Sequence, residues 1–250
     1  MSILPTEPTQ PKKDASDSSI LAFGDAKLGK TEFAAEFPDS VILATENGQN
    51  FLTCYRVPID SWQTFLTACG ELARGDHGFR TITIDTVDNL WMLCQRYICE
   101  RHKVEHESDL AYGKGYGLIY NEFQRVLTRL SQIGLGLLLI GHADREVVEG
   151  RTGRYERAVP ALKDRVRKFL LGMCDLVLYC DQEAVAGPDG KTTLRRVLRT
   201  KPSPYWVAGD RTGRLPETID FSYPAFAAAF EAAVKQDPSP AEESSVKQGA

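Results

Sequence analysis

A phosphate-binding motif near the N-terminus constrains the fold of this chain more than any other feature. The spacing G-x-x-x-x-G-K-[ST] is met by Gly24, Asp25, Ala26, Lys27, Leu28, Gly29, Lys30 and Thr31. The apolar run SSILAF before it suits a buried strand, and TEFAAEF after it can begin a helix. A strand, a glycine loop and a helix in this order predict a P-loop at a strand-to-helix junction of an α/β sheet.

The residue types of this motif fit a nucleoside triphosphate with Mg²⁺. Glycine at positions 24 and 29 permits backbone angles and close approaches that a Cβ would forbid. The loop amides and the N-terminus of the next helix then form a nest for anions. Lys30 is expected to contact the β- and γ-phosphates, and the Thr31 hydroxyl to take one position around Mg²⁺. ATP and Mg²⁺ are therefore the expected cofactors.

Composition favours one α/β domain between two polar tails. The chain has 250 residues, of which 42% are hydrophobic, enough for a full core. Residues 1–17 and 236–250 are rich in Pro, Ser and charge and are predicted to be disordered, with one domain over residues 18–235. Apolar strands alternate with helical patterns, which predicts a mostly parallel sheet flanked by helices. The turn sequence AGPDGKT adds an antiparallel hairpin near the C-terminal edge.

Charge and cysteine content indicate which partners and which cellular compartment to expect. The net charge of -4 gives the chain no overall basicity for nucleic acid, although a local basic face stays open. The six cysteines form no C-x-x-C pair, which predicts reduced thiols and a cytosolic compartment. No apolar run is long enough for a membrane span, so no membrane partner is expected.

Three polar residues follow predicted strands and belong at the edge of the sheet where ligands bind. Asp85 ends the strand TITID and is expected to hold Mg²⁺. Glu46 follows VILAT, where a carboxylate can polarise an attacking water. His142 follows LGLLLI (Leu135–Ile140), where it can contact the γ-phosphate. The alternatives are a solvated loop glutamate and a histidine satisfied by neighbouring backbone.

This order of elements resembles the RecA-type recombinase core. The segments DLAYGKGYG (109–117), HADRE and KPS…GDRTGRLP (201–216) are closer still to short RecA-like ATP-binding proteins of phages, the Sak-type single-strand annealing family. The resemblance covers about residues 18–220. It assigns Lys30 and Thr31 to the P-loop pair, and His142 falls where RecA proteins carry a glutamine sensor. Asp85 and Glu46 match the Walker B aspartate and the water-activating glutamate, although Ala44 replaces the aspartate of the frequent D-T-E pattern.

The resemblance implies a DNA-stimulated ATPase that binds single-stranded DNA and promotes annealing or strand exchange. It also implies a homo-oligomer, either filament or ring, in the cytoplasm of a phage-infected bacterium, with a single-strand-binding protein as a further partner. Three basic residues are expected to reach the nucleotide of the neighbouring subunit: Lys201, Arg211 and Arg214.

Two segments are predicted to contact DNA as loops. The first, Glu105–Gly117, interleaves glycines with Tyr112, Lys114 and Tyr116, so that aromatic rings can stack on bases. The second follows His142 and is rich in arginine, with Arg145, Arg151, Arg154 and Arg157. A solvated charged loop and helix face is the alternative.

Two other functions compete with this interpretation. A P-loop kinase of a nucleoside or small metabolite would transfer the phosphoryl group to an acceptor and would not respond to DNA. A non-catalytic, nucleotide-dependent DNA-binding module would bind ATP without turnover.

Overall fold

The computed structural model describes residues 4–110, 113–150, 153–186 and 191–235. Its centre is one sheet with the strand order β10-β8-β7-β1-β5-β4-β2-β3, to which β6 is added beside β5 and β9 beside β7. The strands are β1 (Ser19–Gly24), β2 (Ser40–Ala44), β3 (Tyr55–Pro58), β4 (Thr81–Asp85), β5 (Gly136–Gly150), β6 (Gly153–Pro160), β7 (Leu176–Ala186), β8 (Thr192–Arg199), β9 (Gly209–Asp210) and β10 (Thr218–Asp220).

Helices cover both faces of this sheet. They are α1 (Lys30–Ala35), α2 (Trp62–Arg74), α3 (Val87–His102), α4 (Lys114–Leu130), α5 (Asp164–Met173) and α6 (Tyr223–Lys235). Within the described ranges, no helix has the length and apolar character needed to cross a membrane.

The middle of the sheet is parallel. Strand β1 pairs in parallel with β5 and β7, β4 pairs with β5 and β2, and β2 pairs with β3. Antiparallel pairs occur where β6, β8, β9 and β10 join. The predicted mostly parallel α/β fold is therefore confirmed, including the antiparallel hairpin toward the C-terminus. The P-loop strand β1 lies between β5 and β7.

Two apolar cores explain why the strands read as continuous hydrophobic runs. Leu21 and Phe23 of β1 point into the larger core, which contains the buried faces of α2, α3, α4 and α5. Ile20 and Ala22 point into the other core, which contains α1 and α6. Alternate residues of this strand are thus buried on opposite faces of the central sheet.

The segment after His142 is a hairpin, and the prediction of a loop there was wrong. Strand β5 continues to Gly150 and returns as β6, in a unit called here the β5–β6 arm (residues 142–160). Residues of opposite charge occupy facing positions across it, with Glu146 opposite Arg157 and Glu149 opposite Arg154, although the Glu146 carboxylate pairs with Arg167 instead. Residues 151–152, between β5 and β6 in sequence, lie outside the described part.

A second ribbon extends from the other neighbour of β1. The outer parts of β7 and β8 pair from Asp181 and Val197 outward and form the β7–β8 arm (residues 181–197), of which residues 187–190 lie outside the described part. The first predicted DNA loop is partly helical, because α4 begins at Lys114. The predicted domain limits stay predictions; the chain before β1 forms a 3-10 turn at Ala15–Asp17.

A close backbone contact at the start of β5 gives a test of this packing. A Cβ at Gly136 would collide with the backbone carbonyl oxygen of Ser16, which cannot move aside as a side chain could. Gly136→Ala should therefore lower the free energy of unfolding by about 1–3 kcal/mol or more. Gly172→Ala in α5 is the control, since nothing lies within 4 Å of its Cβ position and alanine favours a helix. Urea denaturation that found the two variants equally stable would contradict this packing.

Candidate active site

The P-loop spans the junction between β1 and α1. Its backbone passes through the left-handed region at Lys27 (φ +63°) and at Gly29 (φ +93°). Glycine meets this requirement at position 29 without strain, whereas Lys27 is a non-glycine residue in a sparsely populated conformation. A Cβ at Gly24 would lie 2.5 Å from the carbonyl oxygen of Cys180. Both motif glycines are therefore required by the backbone geometry.

Lys30 presents a buried cation at this loop. Its side chain is only 6% exposed, and Nζ donates hydrogen bonds to the carbonyl oxygens of Gly24 (2.9 Å) and Asp25 (2.7 Å). No carboxylate of the described residues forms an ion pair with it. A buried ammonium that is solvated by loop carbonyls is suited to an anionic partner such as a phosphate.

Asp85, the last residue of β4, connects this strand to the P-loop. One carboxylate oxygen, Oδ2, accepts hydrogen bonds from Thr31 Oγ1 and from Gln49 Nε2, each at 2.9 Å. Burial raises the pKa of Asp85, while these two hydrogen bonds and the charges of Lys30 and His142 oppose the rise. The other oxygen, Oδ1, is buried and has no hydrogen-bond partner. Gln49 has no recognisable sequence signal.

A small space beside Gly48 is bordered by three side-chain oxygens. A Cβ at Gly48 would lie 3.4 Å from Thr31 Oγ1 and 3.9 Å from both Asp85 Oδ2 and Glu46 Oε1. Together with the unpartnered Asp85 Oδ1, this oxygen set fits Mg²⁺, which proteins bind through few ligands plus substrate phosphates. Thr31 and Asp85 would hold the ion, which when bound would neutralise phosphate charge. Among the described residues there is no cluster of three His, Cys, Asp or Glu side chains for a protein-only metal site.

Glu46 is placed to act as a base. Asn89 Nδ2 donates to its Oε2 at 3.1 Å and so fixes the carboxylate. Burial raises the pKa of Glu46, and the charges of Asp85 and Asp88 raise it further, against His142 and Lys30. A carboxylate with a raised pKa is a stronger base while it remains ionised near neutral pH. The solvated-glutamate alternative does not describe this environment.

His142 is held by a carboxylate. Its Nδ1 lies 2.8 Å from Asp88 Oδ2, and its backbone N–H donates to Asp88 Oδ1 at 3.2 Å. In the sheet, His142 stands beside Gly24 at the start of the P-loop. Asp88 and Asn89 in the first turn of α3 thus orient the two predicted catalytic side chains, His142 and Glu46. Sequence reasoning missed both, although adjacent polar residues one turn after TITID were a usable signal.

Two further arginines, one from each arm, contact the P-loop. Arg145 of β5 lies 3.2 Å from the carboxylate of Asp25. Arg196 of β8 donates to the carbonyl oxygen of Leu28 at 3.2 Å and pairs with Glu32 at 3.1 Å. Arg145 was predicted as a DNA contact, and that role stays a prediction. Arg196 was missed.

The remaining predicted DNA residues are spread over two places. Lys114 is exposed at the start of α4, and Tyr116 packs 5.9 Å from Trp91 with Lys163 5.0 Å above its ring. Arg154 and Arg157 lie on β6. Tyr112 and Arg151 lie outside the described residues.

The residues predicted to act on a neighbouring subunit lie away from the P-loop of their own subunit. Arg211 pairs with Asp175 at 3.0 Å, and Asp175 accepts from the backbone N–H of Ser19, at the opposite end of β1. Lys201 pairs with the buried carboxylate of Asp210 at 3.1 Å, and Arg214 is exposed. Their contact across a subunit boundary stays a prediction.

The chemistry of this site can be tested at Glu46. Glu46→Gln keeps size and hydrogen bonding but removes the base, so ATP hydrolysis should fall by about 10²-fold or more while ATP binding survives. Parent turnover should also be lost on acidification, because the active form of Glu46 is the ionised carboxylate. The residual turnover of Glu46→Gln should not show this loss on acidification. An unchanged rate and pH profile would exclude Glu46 as the base.

Comparison with known proteins agrees with this geometry. The sequence profile of a family described as an AAA domain matches residues 16–212. A solved structure with a similar fold is the flagellar accessory protein FlaH from Methanocaldococcus jannaschii, with a TM-score of 0.44 and 10% identity over 82% of this chain and 84% of that chain. None of the curated proteins compared with the sequence matches it. Because the profile match spans most of the chain, the protein belongs to this AAA domain family of nucleotide-binding ATPases.

Proposed function

We propose that this ATPase binds single-stranded DNA and promotes its annealing or strand exchange, as in phage recombination. The observation that carries the proposal is the course of β5. This strand passes His142 at the nucleotide site and continues directly into the β5–β6 arm, where aromatic and arginine side chains are clustered. A nucleotide-binding residue and a surface suited to nucleic acid thus share one pair of strands.

The cluster, called here the tyrosine–arginine cluster, consists of Tyr155, Arg157 and Tyr205. The two tyrosine rings lie 6.1 Å apart at an interplanar angle of 72°. The Arg157 guanidinium lies 5.8 Å from the Tyr155 ring centre and donates a hydrogen bond to its hydroxyl at 3.1 Å. Aromatic rings with an arginine beside them are the elements that bind single strands without reading sequence.

Tyr205 is the accessible member of this cluster. It is 62% exposed, although its backbone is fixed by hydrogen bonds from Ala158 N–H to its carbonyl oxygen (2.7 Å) and from its own N–H to Ser203 Oγ (3.0 Å). A rigidly held, exposed ring loses little conformational entropy when a base stacks on it. Tyr205 therefore suits a stacking contact.

The basic residues near the arm fall into two groups. Arg145, Lys163, Arg167 and Lys168 form ion pairs with carboxylates of the same chain. Arg154, Arg157 and Arg165 have no carboxylate partner among the described residues, and Arg165 instead lies 3.9 Å above the ring of Tyr120. The second group is the one whose charge is available to a phosphate backbone, so Arg154 and Arg157 are the proposed phosphate contacts.

The β5–β6 arm is anchored at His142, the proposed γ-phosphate contact. The backbone N–H of Ala161, just after β6, donates to the carbonyl oxygen of His142 at 2.9 Å, and Ala143 pairs with Pro160. Both ends of the arm therefore meet at His142. Coupling through this junction would be reciprocal, so that ATP tightens DNA and DNA tightens ATP.

A homo-oligomeric assembly and a phage-infected bacterial host are part of the same proposal. A filament or ring would bring Lys201, Arg211 and Arg214 of one subunit toward the nucleotide of the next. A single-strand-binding protein in the phage-infected bacterium would be a further partner. These points rest on the resemblance to the phage annealing proteins.

ATP turnover with and without single-stranded DNA tests the proposed function most directly. Stimulation by the DNA is expected, and Lys30→Ala should abolish turnover because the cation that meets the β- and γ-phosphates is removed. Turnover in Lys30→Ala equal to that of the parent would exclude the P-loop as the site. A parent that never binds DNA but phosphorylates an acceptor would be a kinase instead.

The tyrosine–arginine cluster makes a separate prediction. Tyr205→Ala should weaken single-stranded DNA binding by about 5- to 100-fold, the usual range for loss of one stacked base. The double variant Arg154→Gln/Arg157→Gln should reduce the salt slope by about 0.7 for each lost phosphate contact. Both are measured by titrating a labelled oligonucleotide at several salt concentrations. Tyr55→Ala is the control, since Tyr55 is 68% exposed on β3, away from the arm. Equal affinity of Tyr205→Ala and Tyr55→Ala would remove the cluster from the DNA site.

A further inference from the structure

The P-loop lies between two arms because β1 lies between β5 and β7 in the sheet. Each arm places one arginine on the loop. Arg145 from the β5–β6 arm contacts the second residue of the motif, Asp25, and Arg196 from the β7–β8 arm contacts the fifth, Leu28. The contacts thus lie at the two ends of the loop, and each comes from a side chain more than 100 positions away in sequence.

Arg145 compensates a charge that would oppose a nucleotide. Asp25 is a carboxylate within a loop whose amides are arranged to receive an anion, and its own carbonyl oxygen accepts a hydrogen bond from Lys30. A bound triphosphate would therefore lie close to a like charge. The Arg145 guanidinium, 3.2 Å from Asp25, reduces this repulsion and holds the first part of the loop.

Arg196 holds the other end of the loop. Its Nη1 donates both to the carbonyl oxygen of Leu28 (3.2 Å) and to Glu32 Oε2 (3.1 Å), which links the loop to the first turn of α1. The guanidinium also lies 5.9 Å from the ring centre of Phe221. It is so close to Gly29 that a Cβ there would collide with Nη1. The arginine thus lies directly against the backbone turn that precedes Lys30.

The left-handed part of the P-loop, at Lys27 and Gly29, lies between these two contacts. A left-handed backbone at a non-glycine residue such as Lys27 persists only where its surroundings impose it. We infer that Arg145 and Arg196 are positioning residues that hold the P-loop in its phosphate-binding conformation. The arms thereby set the affinity of the loop for nucleotide. The inference rests on the proposed binding of nucleotide and does not depend on the proposed binding of DNA.

Single variants test the inference by ligand binding without DNA. Arg145→Gln and Arg196→Gln should each raise the Kd for ATP by about 2- to 5-fold, the effect of a partly exposed charge contact. The Kd for inorganic tripolyphosphate should rise by the same factor, because the loop and not the nucleoside is affected. Arg196→Lys should restore part of the affinity by keeping a charged donor near Leu28.

A double-variant cycle shows whether Arg145 acts through Asp25. In Asp25→Asn the like charge is gone, so adding Arg145→Gln should change the Kd for ATP by less than in the parent background. Arg101→Gln is the control for loss of one positive charge, because Arg101 lies near the end of α3 opposite to the site. It should bind ATP like the parent, and thermal melting of each variant verifies that it is folded.

Three results would overturn the inference. The first is a loss of ATP affinity with unchanged tripolyphosphate affinity, which would make these arginines nucleoside contacts. The second is an equal effect of Arg145→Gln with and without Asp25. The third is an affinity for ATP that neither variant changes. A parent that binds neither ATP nor tripolyphosphate would instead refute the proposed function, whereas a parent that binds ATP but not DNA would leave this inference intact.

Discussion

The buried carboxylate of Asp85 is the interaction on which the rest of the site depends. A single oxygen of this group accepts hydrogen bonds from Thr31 and Gln49, so it joins the P-loop, strand β4 and the loop after β2. Burying a carboxylate is costly unless hydrogen bonds or charges compensate it, and here Lys30 and His142 contribute as well. The same arrangement leaves Oδ1 buried without a hydrogen-bond partner, a cost that a metal ion held by Asp85 would offset.

Helix α3 organises the chemistry around that carboxylate. It begins directly after Asp85, and its first turn supplies Asp88 to His142 and Asn89 to Glu46. The start of one helix therefore orients Glu46 and His142, the predicted base and the predicted phosphate contact, which follow two different strands. Because hydrogen bonds hold the side chains before any substrate binds, little reorganisation is left for the reaction itself. Burial raises the pKa of Glu46, and the nearby carboxylates of Asp85 and Asp88 raise it further.

The two arms connect this site to the outer surface. They extend from β5 and β7, the two neighbours of β1, so that anything bound to an arm is connected to the P-loop by hydrogen-bonded strands. Arg145 and Arg196 make the connection at the level of side chains. This geometry gives the proposed coupling between nucleotide and DNA a physical route.

The sequence by itself determined the fold and the central residues of the site, because those signals are local. Each signal extends over only a few positions: the P-loop spacing, the apolar runs and the polar residue after each run. Together they predict that one edge of the sheet holds Lys30, Thr31, Glu46, Asp85 and His142. Only the tertiary structure decided which distant side chains support them: Gln49, Asp88, Asn89, Arg145 and Arg196. It also decided that the segment after His142 is a ribbon and that Tyr205 lies beside Tyr155. Such partners depend on strand order and register, which arise from packing between segments far apart in sequence, so no local pattern could specify them.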